Sequence, residues 1–273
     1  MTHDSTGDAS YVIRSGSAAL DRLDLIARLF RPTSVEWLET NDALVVDRFL
    51  DVGCGIGDVT GLAALAGSGE AVGIDVNDEV VAAAEDRARR LATGATFRVA
   101  GIADLGRGDL SGFDVVYTRC VVSHLPDPRT ALAAMLTAAR PGGLVVVEDV
   151  EVAATWCSPP EPAVARYVEC YLAAATAIGA SPHVGPTLAP TLRDLGAEDL
   201  RVEIVQPVLR TPADLRITPR TMEAIAGPVV ANGVADADEV NRLVARLDAW
   251  AEEAGVVSTL PRTVQVAGRR PTR

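Results

Sequence analysis

The chain has 273 residues with a net charge of −12, and 48% of them are apolar, enough for one α/β domain with additions or for two small domains. The acidic balance argues against a dedicated binder of nucleic acid or anionic membranes, because such proteins present a basic face. No apolar run approaches the roughly 18 residues of a membrane span, and the polar start of the chain does not resemble a secretory signal.

Cysteine and histidine usage predicts no metal site. The four cysteines are Cys54, Cys120, Cys157 and Cys170, and none of them forms a CxxC pair. With three histidines in the chain, no zinc-ligand spacing emerges. Free thiols in a reducing compartment are expected, which predicts a cytoplasmic protein.

The elements are predicted from apolar periodicity, from helix caps and from glycine and proline breaks. A helical pattern covers residues 11–41 and is interrupted at Pro32. Strands then alternate with helices, and the predicted strands are 45–53, 71–76, 96–100, 113–118 and 144–150. The predicted helices between them are 59–66, 79–91 and 128–139. This alternation predicts a doubly wound parallel α/β sheet, whose strands all end at one edge, where ligands bind.

After Val150, the regular alternation of strands and helices ends. Helices are predicted at 163–178, 187–195, 213–226 and 236–254, and strands at 200–209 and 263–268. We therefore divide the chain into an N-terminal helical lid (1–41), a cofactor-binding core (42–150) and a helical cap with the last two strands (151–273).

The stretch FLDVGCGIGDVT, residues 49–60, places glycines at 53, 55 and 57 between a strand and a helix. This arrangement suits a ligand that lies directly against the backbone. The dinucleotide fingerprint GxGxxG needs a glycine where this chain has Asp58, and a carboxylate there disfavours a pyrophosphate.

Carboxylates follow three successive strands, as Asp51, Asp75 and Asp104. A carboxylate at the end of the second strand, as in GIDV, can accept both hydroxyls of a ribose. A ligand that combines a ribose, an adenine and an ammonium or sulfonium group fits this set.

These motifs resemble those of the class I S-adenosylmethionine-dependent methyltransferases. The matching segments are LDVGCGIG, GIDV, FDVVYTR with CVVSHLPDP, and ARPGGLVVVED, which together cover residues 45–150. A looser similarity of YVIRSGSAALDRL and LPRTVQVAGRRP is to a group of actinobacterial small-molecule methyltransferases. The resemblance implies a Rossmann-like, mostly parallel seven-stranded sheet with S-adenosylmethionine as its cofactor.

The resemblance also implies roles for individual residues near the cofactor. Gly53, Cys54 and Gly55 would pass under its methionine and ribose, and Asp75 would bind the ribose hydroxyls. The remaining expected contacts are Val76, Ile102, Ala103 and Asp104 near the adenine, Arg119 near the methionine moiety, and Tyr11 in an N-terminal segment that folds over the cofactor. The family usually has a carboxylate at the position of Ile102, so Ala103 and Asp104 are expected to replace its contact.

Methyl transfer from a sulfonium is an in-line displacement that needs positioning, and a base only if the acceptor must lose a proton. The candidate bases are His124, after the fourth strand, and Glu148 and Asp149, at the end of the fifth. Packing, capping or solvation are the alternative roles for each. Trp156, Tyr167 and Tyr171 predict an aromatic wall for a hydrophobic acceptor, or simply the core of the insertion.

The sequence therefore predicts methyl transfer to a small molecule, such as a hydrophobic or aromatic specialised metabolite. One alternative keeps the cofactor as a fixed charge for a cyclisation or isomerisation, another is a nicotinamide-dependent reductase, and a third is a non-enzymatic binding protein. Neither nucleic acid nor membrane is an expected partner, and a homodimer is possible.

Overall fold

The computed structural model describes residues 17–272. Its helices are α1 (Ser17–Thr40), α2 (Asp58–Ala66), α3 (Asp78–Leu91), α4 (Pro128–Ala138), α5 (Pro162–Ala177), α6 (Leu188–Asp194), α7 (Pro212–Leu215), α8 (Ile217–Ala231) and α9 (Ala237–Ala251). Its strands are β1 (Arg48–Val52), β2 (Glu70–Asp75), β3 (Thr96–Val99), β4 (Phe113–Arg119), β5 (Ala139–Glu151), β6 (Cys157–Ser158), β7 (Glu198–Val205), β8 (Val208–Leu209), β9 (Val257–Thr259) and β10 (Arg262–Arg269).

Seven strands form the main sheet, in the order β3-β2-β1-β4-β5-β10-β7. The first five in this order pair in parallel, and β10 is antiparallel to both of its neighbours. The predicted seven-stranded, mostly parallel sheet is therefore confirmed. Parallel strands joined by helical crossovers bring their carboxyl ends to one edge, which is where a site is expected.

Side chains on the central strands alternate between two apolar layers, as the pleat of a strand requires. On β4, Val115 and Tyr117 pack with α1 and α2, whereas Val116 between them packs with α4 and α6. Both faces of the sheet are therefore covered by helices. This explains the apolar runs VVY in β4 and LVVV in β5.

The predicted break at Pro32 is wrong, since α1 continues through this proline. A proline inside a helix removes one backbone donor and costs stability. Helix α1 nevertheless buries apolar residues on both sides of the proline, Phe30 before it and Trp37 and Leu38 after it. This burial fixes the helix across the interruption.

The predicted strand 200–209 is two strands in the structure. Strand β7 ends at Val205, and β8 joins a separate three-stranded sheet in the order β6-β9-β8. The Gln206 side chain donates to the carbonyls of Ala154 and Leu260 at this point. Pro207, which has no amide hydrogen, cannot continue the ladder.

Helices α5, α7, α8 and α9 and the small sheet form what we call the cap, which has its own apolar core. Leu25 and Phe30 of α1 belong to that core as well. Helix α6, by contrast, packs Leu188 and Leu192 on the main sheet, so the segment after Val150 is not one uniform insertion. Across residues 17–272, none of the helices combines the length and apolarity that crossing a membrane demands.

Candidate active site

A cavity of about 1060 Å³ lies at the carboxyl ends of the parallel strands. Residues 53–57, the glycine loop, form one wall, and α1 with the cap forms the other. Ligand pockets usually span about 300–1,000 Å³. This central cavity therefore has room for a nucleoside-sized cofactor and a second molecule beside it.

The glycine loop has a positive φ at Gly53, Gly55 and Gly57, but the three positions need glycine for different reasons. A Cβ at Gly53 would lie 2.3 Å from Val121 Cγ2, and one at Gly57 would lie 2.5 Å from the ring of Phe97. Those two glycines permit close packing inside the protein. At Gly55 the nearest atom to a Cβ would be Leu23 Cδ2 at 4.0 Å, so this backbone is open to the cavity.

Asp75 ends β2 and is held in place by its backbone surroundings. Its two carboxylate oxygens accept hydrogen bonds from the Gly55 amide at 3.2 Å and the Asn77 amide at 3.0 Å. Burial raises the pKa of Asp75, although these amides work in the opposite direction. Each oxygen keeps capacity for a further donor, so the carboxylate is oriented and can still bind a diol at the cavity wall.

Val76 also lines the cavity, and 69% of its surface is exposed in the absence of a ligand. An exposed apolar side chain on the wall of a cavity suits contact with a flat apolar group such as a nucleobase. Ile102 lies on the same wall, beyond β3. Together they fit the predicted adenine contact.

Ala103 and Asp104 do not line the cavity, and the prediction for these two residues needs correction. Both are exposed on a short 3₁₀ turn. The Asp104 carboxylate accepts a hydrogen bond from the Gly101 amide at 2.9 Å and so caps this turn. The turn directs Ile102 alone to the cavity, because the capped carboxylate is committed to its own backbone.

Asp51 and Asp58 are buried acids beside the glycine loop. Asp51 accepts hydrogen bonds from the amide and the hydroxyl of Thr60, and burial raises its pKa to about 6. Asp58 pairs with Arg31 and lies 3.6 Å from Arg87 and 3.9 Å from Arg119. With cations on three sides, Asp58 does not present an open negative charge, which weakens the sequence argument that it would repel a pyrophosphate.

Arg119, at the end of β4, lines the cavity at the base of a buried polar network. Its guanidinium donates to the Ser34 hydroxyl at 2.9 Å, and that hydroxyl donates to Glu148 at 3.0 Å. Burial would lower the pKa of Arg119, but the neighbouring Tyr117 hydroxyl and Glu148 carboxylate raise it. The arginine therefore stays charged where the resemblance places the methionine moiety.

Glu148 is fully buried and does not line the cavity. Besides Ser34, it accepts hydrogen bonds from the Tyr117 hydroxyl at 2.6 Å and the Gln265 amide at 2.9 Å. With every partner supplied by the chain, it cannot reach an acceptor as a base. Its position fits an internal counterion that joins α1, β4, β5 and β10.

Asp149 is likewise fully buried and absent from the cavity wall. It accepts hydrogen bonds from the amides of Ser123 at 3.0 Å and Val150 at 2.8 Å, and burial raises its pKa. The bond from Ser123 fixes the loop after β4. Neither strand-ending acid therefore stands where a base would touch an acceptor.

His124 is the catalytic candidate that does line the cavity. Burial and the charge of nearby Arg22 lower its pKa to about 4. The imidazole is therefore neutral at physiological pH. His183 is exposed on a turn and does not line the cavity.

The cap contributes two of the three predicted aromatics to the cavity. Tyr167 and Tyr171 line it and meet edge to face, with ring centroids 6.4 Å apart. Burial raises the pKa of Tyr167 to about 12, so its hydroxyl stays protonated. Trp156 is 53% exposed and lies outside the cavity wall.

Cys54 and Cys120 line the cavity as well. Burial raises the pKa of both thiols well above the ordinary value. Both are therefore protonated and unreactive near neutral pH. Across residues 17–272, no cluster of three or more acidic, histidine or cysteine side chains could hold a metal ion.

The sequence motifs missed three residues of the site and of the network below it, namely Arg22, Ser34 and Gln265. Arg22 and Ser34 lie on α1, and Gln265 lies on β10, far from the cofactor motifs in the chain. They reach the site through tertiary packing, which a local motif cannot encode. A polar residue on an otherwise apolar helix face or central strand is the signal that could have found them.

Comparison with known proteins agrees with the geometry. Residues 46–175 match the family model described as a methyltransferase domain. The chain is 32% identical over 114 residues to the ubiquinone biosynthesis O-methyltransferase of Methylococcus capsulatus, a match that covers 42% of this chain and 48% of the relative. The chain thus spans about half the length of the curated relatives it matches.

Two solved structures share the fold. Haemonchus contortus phosphoethanolamine N-methyltransferase 2, in complex with S-adenosylhomocysteine, aligns with a TM-score of 0.52 at 18% identity and covers 83% of this chain and 49% of its own. The [4+2]-cyclase SpnF aligns with a TM-score of 0.50 at 21% identity, and the alignment covers 84% of this chain and 77% of the cyclase chain. At this identity the likeness concerns the fold. Residues 46–175 are thus similar to a methyltransferase domain, and the chain shares its fold with these two structures.

Proposed function

We propose that the protein transfers a methyl group from S-adenosylmethionine to a hydrophobic or aromatic small molecule. The observation that carries this proposal is the single cavity that joins the glycine loop to the cap. One half offers an open backbone at Gly55, an oriented carboxylate at Asp75 and an apolar surface at Val76. The other half is walled by tyrosines and aliphatic residues of the cap.

These residues fit the cofactor. Asp75 would bind the ribose hydroxyls, Val76 and Ile102 would contact the adenine, and Gly53 and Gly55 would let the backbone approach. When bound, the cofactor supplies an electrophilic methyl group on a sulfonium. The chain itself contributes orientation, because Asp75 and Arg119 are both fixed by hydrogen bonds before any ligand arrives.

A base is needed only for an acceptor that must lose a proton. His124 is then the residue we assign, since it lines the cavity and is neutral at physiological pH. Glu148 and Asp149 support the site from below as positioning residues. The loop after β4 thus holds the base, and Asp149 holds that loop.

The first experiment is calorimetry with S-adenosylhomocysteine, for which we expect a micromolar dissociation constant. NAD and NADP are the controls, and preferential binding of either would favour the reductase alternative. Incubation with S-adenosylmethionine and candidate acceptors should then release S-adenosylhomocysteine. A protein that binds the cofactor but never releases this product with a converted substrate would not be a methyltransferase.

A second candidate function is a cyclisation or isomerisation beside an intact cofactor. A reaction of this kind that removes no proton would not need His124, whose pKa near 4 makes it a weak base. The fold accommodates this chemistry in the cyclase structure to which the chain is similar. Mass spectrometry of the product separates the two functions, since methylation adds one methyl group and isomerisation adds no mass.

The remaining sequence predictions complete this proposal. Tyr11 falls outside the described residues, and its expected contact with the cofactor stays a prediction. Deletion of residues 1–15 should then reduce turnover far more than stability. We propose a cytoplasmic enzyme of specialised metabolism that acts without nucleic acid or membrane partners. Analytical ultracentrifugation would test the possible homodimer.

A further inference from the structure

Arg22 is a buried cation on the acceptor side of the cavity. It lies on α1, is only 4% exposed and lines the cavity wall. Burial of a charged guanidinium is costly unless a partner compensates it, so buried arginines are normally paired with carboxylates. A compensating partner is therefore expected for Arg22.

Among residues 17–272, no acidic side chain forms an ion pair with Arg22, and its buried Nε has no hydrogen-bond partner. The contrast with the other cations of this helix is clear. Arg28 pairs with Asp214 at 2.8 Å, and Arg31 pairs with Asp58. Arg22 is thus a desolvated charge in the wall of a ligand cavity.

The surroundings of Arg22 belong to the cap half of the cavity. Its charge lowers the pKa of His124 and opposes the rise in the pKa values of Cys120 and Tyr167 caused by burial. Its neighbours are thus the candidate base, the residue after β4 and a tyrosine of α5. The cofactor half has its own fixed cation in Arg119.

We propose that Arg22 binds a carboxylate on the methyl acceptor, which makes the substrate a hydrophobic carboxylic acid. An arginine fork matches a carboxylate with two parallel hydrogen bonds, and the interaction is strongest where water is excluded. The apolar and tyrosine walls of the cap would hold the remainder of the molecule. This inference rests on the proposed function, because it names the substrate class of the same cavity.

The test compares straight-chain and aromatic carboxylic acids with their amides, by calorimetry on the whole protein, with and without saturating S-adenosylhomocysteine. We expect at least one acid to bind tenfold or more tightly than its amide. Arg22→Met should remove this preference, because it keeps the apolar stem and deletes the fork. Arg28→Met is the matched control, an arginine of the same helix outside the cavity, and should keep the preference.

The cofactor also carries a carboxylate, so a second arm distinguishes the two sources. Arg22→Met should leave the affinity for S-adenosylhomocysteine within about twofold of the wild type. If that affinity falls tenfold while the affinity for methylthioadenosine, which lacks the amino-acid portion, is unchanged, Arg22 serves the cofactor and the proposal is overturned. A wild-type protein that prefers no acid over its amide overturns it too.

Thermal unfolding gives an independent readout. Removal of a buried charge that has no acidic partner among the described residues should not lower the Tm of the ligand-free protein, and is expected to raise it. A clear fall in Tm for Arg22→Met would mean that the arginine is structural. Failure of S-adenosylhomocysteine to bind the wild type would count against the proposed function alone, because the acid–amide comparison is also made without it.

Discussion

The cofactor half and the cap half of the cavity handle buried charge differently. Beside the glycine loop, each buried ionic group has a partner in the chain, as Asp51 has in Thr60, Asp58 in Arg31 and Arg119 in Ser34. In the cap half, Arg22 has no acidic partner among the described residues. The first half is complete as a binding surface before its ligand arrives.

The difference shows how the two halves can vary. A network whose bonds are internal tolerates few substitutions, because each change orphans another buried group. A wall of tyrosines and aliphatic side chains tolerates many, provided that volume is kept. We therefore expect the chemistry of the acceptor to be set by few polar residues on the cap side.

The largest effect should come from breaking the network below the cofactor half. Glu148→Ala removes the acceptor of three buried hydrogen bonds, including the one from the Ser34 hydroxyl that Arg119 contacts. We expect the free energy of unfolding to fall by about 3–5 kcal/mol in urea titrations. Glu151→Ala is the control on the same strand as Glu148. It removes the partner of Arg262 on β10 and should lower the free energy of unfolding by less than about 1 kcal/mol. Equal losses would show that Glu148 is not an internal counterion.

The two glycines of the loop separate packing from binding. Gly53→Ala places a Cβ 2.3 Å from Val121 at a positive φ, and should cost about 2–4 kcal/mol of stability. Gly55→Ala meets open space and should cost only about 1–2 kcal/mol of backbone strain while it weakens cofactor binding. Denaturant midpoints and calorimetry together check both. If Gly55→Ala has the same affinity for S-adenosylhomocysteine as the wild type, Gly55 does not serve binding and this prediction is wrong.

His124 makes stability depend on pH on the cap side. Its pKa is about 4 in the folded protein against 6.5 for the free side chain, so between these values only the unfolded state binds the proton. Stability therefore falls as pH drops from 6.5 to 4, by up to roughly 3 kcal/mol for this group. Relative to His124→Gln, the wild type should lose that amount in the window and none of it above pH 7.

The comparison with the variant is needed because Asp51 acts in the opposite direction. Its pKa rises from 3.8 to about 6 on folding, so its share of the stability falls as pH rises through the same interval. The opposite pH dependences of the His124 and Asp51 contributions to stability partly cancel in the wild-type protein. Parallel pH profiles for the wild type and His124→Gln would show that the histidine is not buried as a neutral group.

The last prediction concerns the ribose contact. Asp75→Ala should weaken S-adenosylhomocysteine binding by about 1.5–3 kcal/mol, the range for charge-assisted hydrogen bonds. Asp104→Ala is the control, since its carboxylate caps a turn outside the cavity, and it should bind normally. Calorimetry that finds the Asp104 variant impaired instead would restore the original assignment of that residue to the site.

The sequence predicted the cofactor half better than the cap half for a physical reason. GxGxG, Asp75 and the parallel strands are local patterns, since a tight turn and a strand end determine their own geometry. Asp104 was predicted to contact the adenine, but its carboxylate accepts a hydrogen bond from the Gly101 amide three residues earlier and does not line the cavity. Glu148 and Asp149 were predicted to end the fifth strand at the ligand edge, whereas β5 continues to Glu151 and both side chains are buried. Arg22 and Gln265 join the site through contacts between distant segments, which no local pattern reports.

The position of β10 has a consequence for the order in which the molecule can assemble during synthesis. β10 lies between β5 and β7, although it follows both in the chain. β7 can therefore leave the ribosome long before the strand that pairs with it, and its edge stays open in the meantime. The same late strand carries Gln265, which donates to Glu148 and to the Thr33 carbonyl of α1. The buried network under the cofactor half is thus finished only when β10, which is translated after the other six strands of the sheet, inserts. Premature termination before Arg262 would release a chain with a divided sheet.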